Sequence, residues 1–212
     1  MNIGVFDSGV GGQAVAVRLQ ELLPDAEITS VNDTAHVPYG NRSAADIITL
    51  TDAAIQPLLS SCDAIVIACN TATTVAITTL RECYPTMKFI GIEPMVKPAA
   101  HMTKTKRIAV CATPATLASA RYLQLKATWT QGIEVIEPDC SQWATLIEHD
   151  QSNTIDVEST VRQLITQNVD VIVLACTHYH LIKERIVAAV GPSVTVLEPT
   201  DAIARRIQSL LN

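Results

Sequence analysis

No apolar run in the sequence approaches the roughly 20 residues that a membrane-crossing helix needs. The opening stretch, MNIGVFDSGVGG, has neither the basic start nor the long apolar segment of a secretion signal. Cationic residues are also sparse: 15 lysines and arginines, scattered along the chain, stand against 21 acidic residues, for a net charge of −6. Nucleic acids and anionic membranes are bound through clustered positive charge, so no nucleic acid and no membrane is expected as a partner. A small molecule is favoured instead. The six cysteines include no C-x-x-C pair and lie in or beside apolar runs. They are read as free thiols in a reducing compartment, and the protein is expected to be cytoplasmic. Low-complexity and long charged segments are missing too. With 48% hydrophobic and 17% charged residues, the chain can bury a full core.

What is present is a regular alternation. Short β-branched runs (IGVF from Ile3, EITSVN from Glu27, AIVIA from Ala64, KFIGI from Lys88, RIAVC from Arg107, IEVIE from Ile133, VIVLA from Val171, VTVLE from Val194) alternate with segments of helical spacing. Those segments include Gly11 to Leu23, Ser43 to Ser60, Thr154 to Gln167 and Tyr179 to Ala189, and Pro57 is expected to kink or shorten its helix. Strands separated by helices imply an α/β fold with mainly parallel sheets, and strands apolar on both faces imply helices on both sides. A length of 212 residues admits two half-sized units.

The sequence repeats itself. DAIVIACNT from Asp63 and DVIVLACTH from Asp170 are nearly one phrase, with Cys69 and Cys176 standing 107 residues apart. Ile3 and Ile108 are 105 apart, as are Glu93-Pro94 and Glu198-Pro199. One matching strand could be chance, but an ordered series at nearly one offset indicates duplication. Ligands of open α/β sheets bind beyond the carboxyl ends of strands, where both cysteines lie. Halves facing each other across a pseudo-twofold axis would therefore aim two thiols into one cleft.

Two acid/base groups flanking a carbon can remove a hydrogen from one face and return one on the other, which inverts the centre. Thiols suit that exchange, since a free thiol titrates near ~8.5 and a neighbouring cation or helix N-terminus lowers this. Each cysteine is followed by polar residues, Asn70-Thr71 and Thr177-His178, able to hold a substrate carboxylate. The loop DSGVGG, Asp7 to Gly12, adds a carboxylate suited to an α-ammonium group or to assisting a thiol proton. A rival reading takes Gly9, Gly11 and Ala14 as a dinucleotide fingerprint with Asp33 on a ribose. It sets Asp7 where a pyrophosphate would lie and leaves the paired cysteines without a role.

The motifs IGVFDSGVGG, DTAHVPYGNRS, VIACNTAT, GIEP and LACTHYHL resemble those of the aspartate/glutamate racemase family, in the family's order and over nearly the whole chain. The resemblance implies two similar flavodoxin-like α/β domains around the active site, residues 1–94 plus 199–212 and residues 95–198. It also implies cofactor-independent racemisation of glutamate, a homodimer, and supply of D-glutamate for bacterial peptidoglycan. Carried over by position, Cys69 and Cys176 resemble the catalytic thiols, the first taking the proton of the D-enantiomer and the second that of the L-enantiomer. Asp7, Glu148 and His178 resemble the groups assisting them. Ser8, Pro38, Tyr39, Gly40, Asn70, Thr71, Thr113 and Thr177 match positions that bind the amino acid, together with Asp7, His178 and both thiols. Departures are His180 where proline is usual, Gln13 where an aliphatic residue is usual, Asp139-Cys140-Ser141 where A-C-P is usual, and a shortened segment after Glu148.

The remaining cysteines, Cys62, Cys83, Cys111 and Cys140, are read as small buried residues. Cys176, His178 and His180 form a C-x-H-x-H run without a fourth ligand, so no metal is assigned. With the acid/base pair complete in the polypeptide, no cofactor is expected. Aspartate is the nearest alternative substrate, and a silent amino-acid-binding protein is the alternative of a different class.

Overall fold

The computed structural model describes residues 1–211; Asn212, the end of the first expected domain, lies outside the described residues. The first half runs β1 (Asn2–Asp7), α1 (Gly11–Leu22), β2 (Glu27–Asn32), α2 (Ala44–Leu59), β3 (Ala64–Ile67), α3 (Asn70–Cys83) and β4 (Lys88–Gly91). After α4 (Val96–Met102) the second half runs β5 (Arg107–Ala112), α5 (Pro114–Ala118), α6 (Ala120–Trp129), β6 (Glu134–Ile136), α7 (Trp143–Glu148), α8 (Val157–Thr166), β7 (Val171–Ala175), α9 (Lys183–Val190) and β8 (Thr195–Leu197). α10 (Thr200–Leu211) closes the described chain. Two four-stranded sheets result, ordered β2-β1-β3-β4 and β6-β5-β7-β8, with every pairing parallel. The repeat is therefore structural: β1, β2, β3 and β4 take the places in one sheet that β5, β6, β7 and β8 take in the other.

The β-branched runs become strands because helices cover both faces. β3 and β7 are buried along their whole length, and burying each such Val or Ile side chain stabilises the fold by roughly 1.5–3 kcal/mol. Burial on both faces holds for the central strands but not for β2, which lies at a sheet edge and mixes exposed with half-buried residues. Helix ends follow local chemistry. The Ser43 hydroxyl caps α2 by accepting from the Asp46 N–H, and the Asp156 carboxylate caps α8 by accepting from the Ser159 N–H. That cap starts α8 at Val157, three residues later than the apolar spacing suggests. Pro57 is carried inside α2, which ends two residues beyond it at Leu59. The segment expected to be helical from Tyr179 is a 3-10 turn over Thr177–Ile182 that leads into α9.

The crossovers interlock the halves. α4, which follows β4, packs Val96 and Ala99 into a core built on β5 and β7. α10, which follows β8, returns Ile203, Ala204 and Ile207 to the core of β1, β3 and α1. Among the described residues, no helix is long and apolar enough to cross a membrane.

Candidate active site

The carboxyl ends of β1 and β3 from one sheet and of β5 and β7 from the other converge on a small enclosed pocket. It is lined by Ser8, Pro38, Tyr39, Gly40, Cys69, Asn70, Thr71, Thr113, Ala144, Cys176, Thr177 and His178, and its free volume is only about 10 Å³. Larger grooves lie elsewhere on the surface, but this pocket gathers the residues picked out by the repeat. Both thiols are buried.

The two thiols sit in unlike surroundings. Cys69 caps α3, its Sγ 3.4 Å from the Ala72 N–H and 3.3 Å from the Ser8 hydroxyl. Burial, helped by the nearby Asp7 carboxylate, pushes its pKa up to about 12, so Cys69 carries its proton. Cys176 starts the 3-10 turn with no capping bond of its own, and its Sγ lies 3.8 Å from His178 Nδ1. On the far side of that ring, His178 Nε2 donates to Glu148 Oε2 at 2.6 Å, and both side chains are shielded from solvent. Burial opposes a charge on His178, but the bonds to Cys176 and Glu148 outweigh it and hold its pKa up at about 10. Burial likewise opposes ionisation of Glu148, yet the His178 bond and the Val10 N–H keep its carboxyl below the ordinary range. The second half thus holds an imidazolium beside its thiol.

Asp7 lies behind the pocket wall. Its Oδ2 accepts from the N–H groups of Gly9 and Gly12 at 3.0 Å each, and its Oδ1 accepts from the Thr177 hydroxyl at 2.9 Å. Burial raises its pKa despite these donors and the nearby His178. The Thr177 bond also ties the first half to the second.

The β1–α1 loop has no room for a pyrophosphate. A Cβ on Gly11 would meet the Thr177 carbonyl carbon at 2.6 Å and the His178 nitrogen at 2.7 Å, so the second half already occupies that space. Asp33, the supposed ribose acid, instead accepts from the Tyr39 hydroxyl at 2.7 Å and faces His36 Nδ1 at 2.8 Å. The C-x-H-x-H residues do not converge: His178 turns one ring nitrogen to Cys176 and the other to Glu148, while the buried Nε2 of His180 has no partner among the described residues. Among the other cysteines, Cys111 and Cys140 are buried as expected. Cys62 is half-buried, and Cys83 is exposed because it closes the last turn of α3 on the surface.

Sequence motifs of the family described as Asp/Glu/Hydantoin racemase match residues 13–207. The chain belongs to this racemase family. A glutamate racemase of Aliarcobacter butzleri is 38% identical over 218 residues, covering 99% of this chain and 84% of the relative. The structure of Escherichia coli glutamate racemase, in complex with L-glutamate and the activator UDP-MurNAc-Ala, superposes with a TM-score of 0.85 at 29% identity, covering 99% of this chain and 82% of that one. Glutamate racemase of Francisella tularensis, in complex with D-glutamate, superposes with a TM-score of 0.80 at 30% identity, covering 99% and 80% respectively.

Within this candidate site, several residues were not visible from sequence. Ala144 lines the pocket four residues before Glu148, one helical turn away on the same face of α7, a spacing that could have suggested it. Val10 enters through its backbone alone, and Asp33, read from the sequence only as a ribose acid, enters through its hold on Tyr39. Thr116 joins the hydroxyls of Thr71 and Thr113, its clue being the T-x-x-T spacing of a helix cap.

Proposed function

We propose that this chain is a glutamate racemase that interconverts L- and D-glutamate by proton transfer between Cys69 and Cys176, with no cofactor. The observation that carries the reading is one enclosed pocket to which each sheet contributes a thiol from an equivalent strand end.

With L-glutamate bound, the Cys176 sulfur, in its anionic form beside the His178 imidazolium, takes the α-proton. The planar carbanion receives a proton on its opposite face from Cys69, which burial keeps in the thiol form. The product is D-glutamate, with Cys176 now a thiol and Cys69 a thiolate next to the Ser8 hydroxyl and the Ala72 N–H. The reverse reaction uses the same groups in exchanged roles. Glu148 holds the His178 ring in its tautomer and charge state, and Asp7 orients Thr177. Asn70 gives its Nδ2 hydrogen to the Ile92 carbonyl, leaving a buried Oδ1 with no partner. An ammonium group of the substrate supplies the donor that this atom needs.

The two halves, residues 1–94 plus 199–212 and residues 95–198, are the units that part to admit substrate, with Glu93-Pro94 and Glu198-Pro199 as the crossings. The enzyme works in the cytoplasm as a homodimer and supplies D-glutamate for peptidoglycan, as the family resemblance implies. Aspartate is the competing substrate, because one methylene is worth only about 1–3 kcal/mol of discrimination.

The test is conversion of L-glutamate to D-glutamate by purified protein without added pyridoxal phosphate or metal. Turnover that survives a chelator supports the reading. Aspartate turned over in preference to glutamate, or activity lost to the chelator and restored by metal, overturns it.

A further inference from the structure

The hydroxyls of three threonines close a triangle at the wall of the pocket. Thr71 Oγ1 lies 2.9 Å from Thr113 Oγ1 and 3.2 Å from Thr116 Oγ1, while Thr113 Oγ1 and Thr116 Oγ1 are 3.1 Å apart. Thr71 belongs to α3 of the first half, and Thr113 and Thr116 to the turn around α5 of the second, so the triangle bridges the halves. Thr71 and Thr113 line the pocket. Thr116 does not, and it is fully buried behind them.

Each hydroxyl carries one proton and can accept two. Bonded only to one another, the three hydroxyls can pass their protons round, Thr113 to Thr116 to Thr71 to Thr113, so that each oxygen both donates and accepts. A carboxylate entering the pocket accepts hydrogen bonds and offers none, so Thr71 and Thr113 must both turn their protons towards it. Their mutual bond is then lost. Thr116 is the one remaining hydroxyl that can donate to either oxygen, while its backbone N–H continues to donate to Thr113 Oγ1 at 3.3 Å. A hydroxyl that accepts a hydrogen bond is also a stronger donor, so Thr116 strengthens the pair that faces the ligand.

Resting on the glutamate racemase reading, we propose that Thr116 is a positioning residue: it holds Thr71 and Thr113 as a paired donor for a substrate carboxylate without itself touching the substrate. It lets the two hydroxyls change from bonding each other to bonding the ligand with no buried oxygen orphaned in either state. Its effect is on binding of ground state and transition state alike, since no bond at the α-carbon passes through it.

The test compares Thr116→Val, which keeps the branched shape and removes the hydroxyl, with Thr116→Ser, which keeps the hydroxyl. In racemisation assays from both enantiomers, T116V should raise KM roughly tenfold, the order of one hydrogen bond to a charged system, and leave kcat within about twofold. T116S should restore KM. Calorimetric titration with L-glutamate should show the same loss in Kd. If T116V fails to fold, Thr116→Cys, a weaker hydrogen-bonding group of similar size, should raise KM in the same way. A T116V or T116C protein that binds glutamate like the wild type, or a T116S protein as impaired as T116V, overturns the proposal. The calorimetry also separates the two ideas: wild-type protein that binds glutamate without racemising it refutes the racemase reading, while the ranking of the Thr116 variants still decides the role of this hydroxyl.

Discussion

Gly11→Ala isolates the contact on which the closed site depends. The added methyl would lie 2.6 Å from the Thr177 carbonyl carbon and 2.7 Å from the His178 nitrogen, where an ordinary contact begins at 3.4 Å. Both obstacles are backbone, so no side-chain rotation relieves them, and the two segments must separate by about 0.8 Å. Overpacking of this kind destabilises by roughly 1–3 kcal/mol. The larger consequence is catalytic, because the moved segment is Cys176-Thr177-His178 and a misplacement near 1 Å can slow a reaction by about 100-fold. A matched control is Gly132→Ala. Gly132 has φ of +72° with nothing within 4 Å of an added Cβ, so alanine there is strained by about 1–2 kcal/mol without touching the site. The assay pairs urea unfolding with racemisation kinetics in both directions. G11A and G132A should both lose stability, but only G11A should lose kcat. Wild-type turnover by G11A, or an equal loss of turnover by G132A, would refute the argument that this close approach sets the thiol geometry.

Other expectations concern protonation. Burial raises the pKa of Asp7 above its unfolded value, so its contribution to stability is present below about 3.8 and is lost as pH rises through the folded value. Asp7→Asn should therefore gain stability relative to wild type as pH rises from 4 to 8, while slowing racemisation; a stability difference independent of pH would count against a strained buried carboxylate. His178, held up at about 10, contributes stability that is complete below about 6.5 and disappears as pH rises through 10. The stability deficit of His178→Gln should accordingly shrink between pH 7 and pH 10.5, and a constant deficit would mean that the ring is neutral throughout.

How far the sequence could be read depended on which residues speak for themselves. The central strands announced themselves because burial on both faces demands uninterrupted apolar runs, and two such runs ending in cysteine at a near-constant offset exposed the duplication. Edge strand β2 follows a weaker rule, since half of it meets solvent and its polar residues carry no burial signal. The turn after Cys176 looked helical because Tyr179 and Ile182 are buried three residues apart, a spacing that a 3-10 turn shares. Ala144 and Thr116 were hidden for a different reason: local spacing marks each only faintly, and what brings Thr116 to the site is its hydroxyl contact with Thr71 on another element. The unlike settings of the two thiols were equally invisible, because Glu148, which helps Cys176 hold the charge on His178, lies on another element.

The central claim, that Cys69 and Cys176 each serve one enantiomer, is tested most directly by the two single serine variants and a glutamate analogue chlorinated at its β-carbon. Elimination of chloride needs only one proton abstraction, so it reports each base separately, and serine is close to cysteine in size but far less acidic. Cys69→Ser should eliminate from the L-analogue and not the D-analogue, Cys176→Ser from the D-analogue and not the L-analogue, and neither should racemise glutamate. Elimination from both enantiomers at the wild-type rate by either variant, or normal racemisation by either, would contradict the assignment.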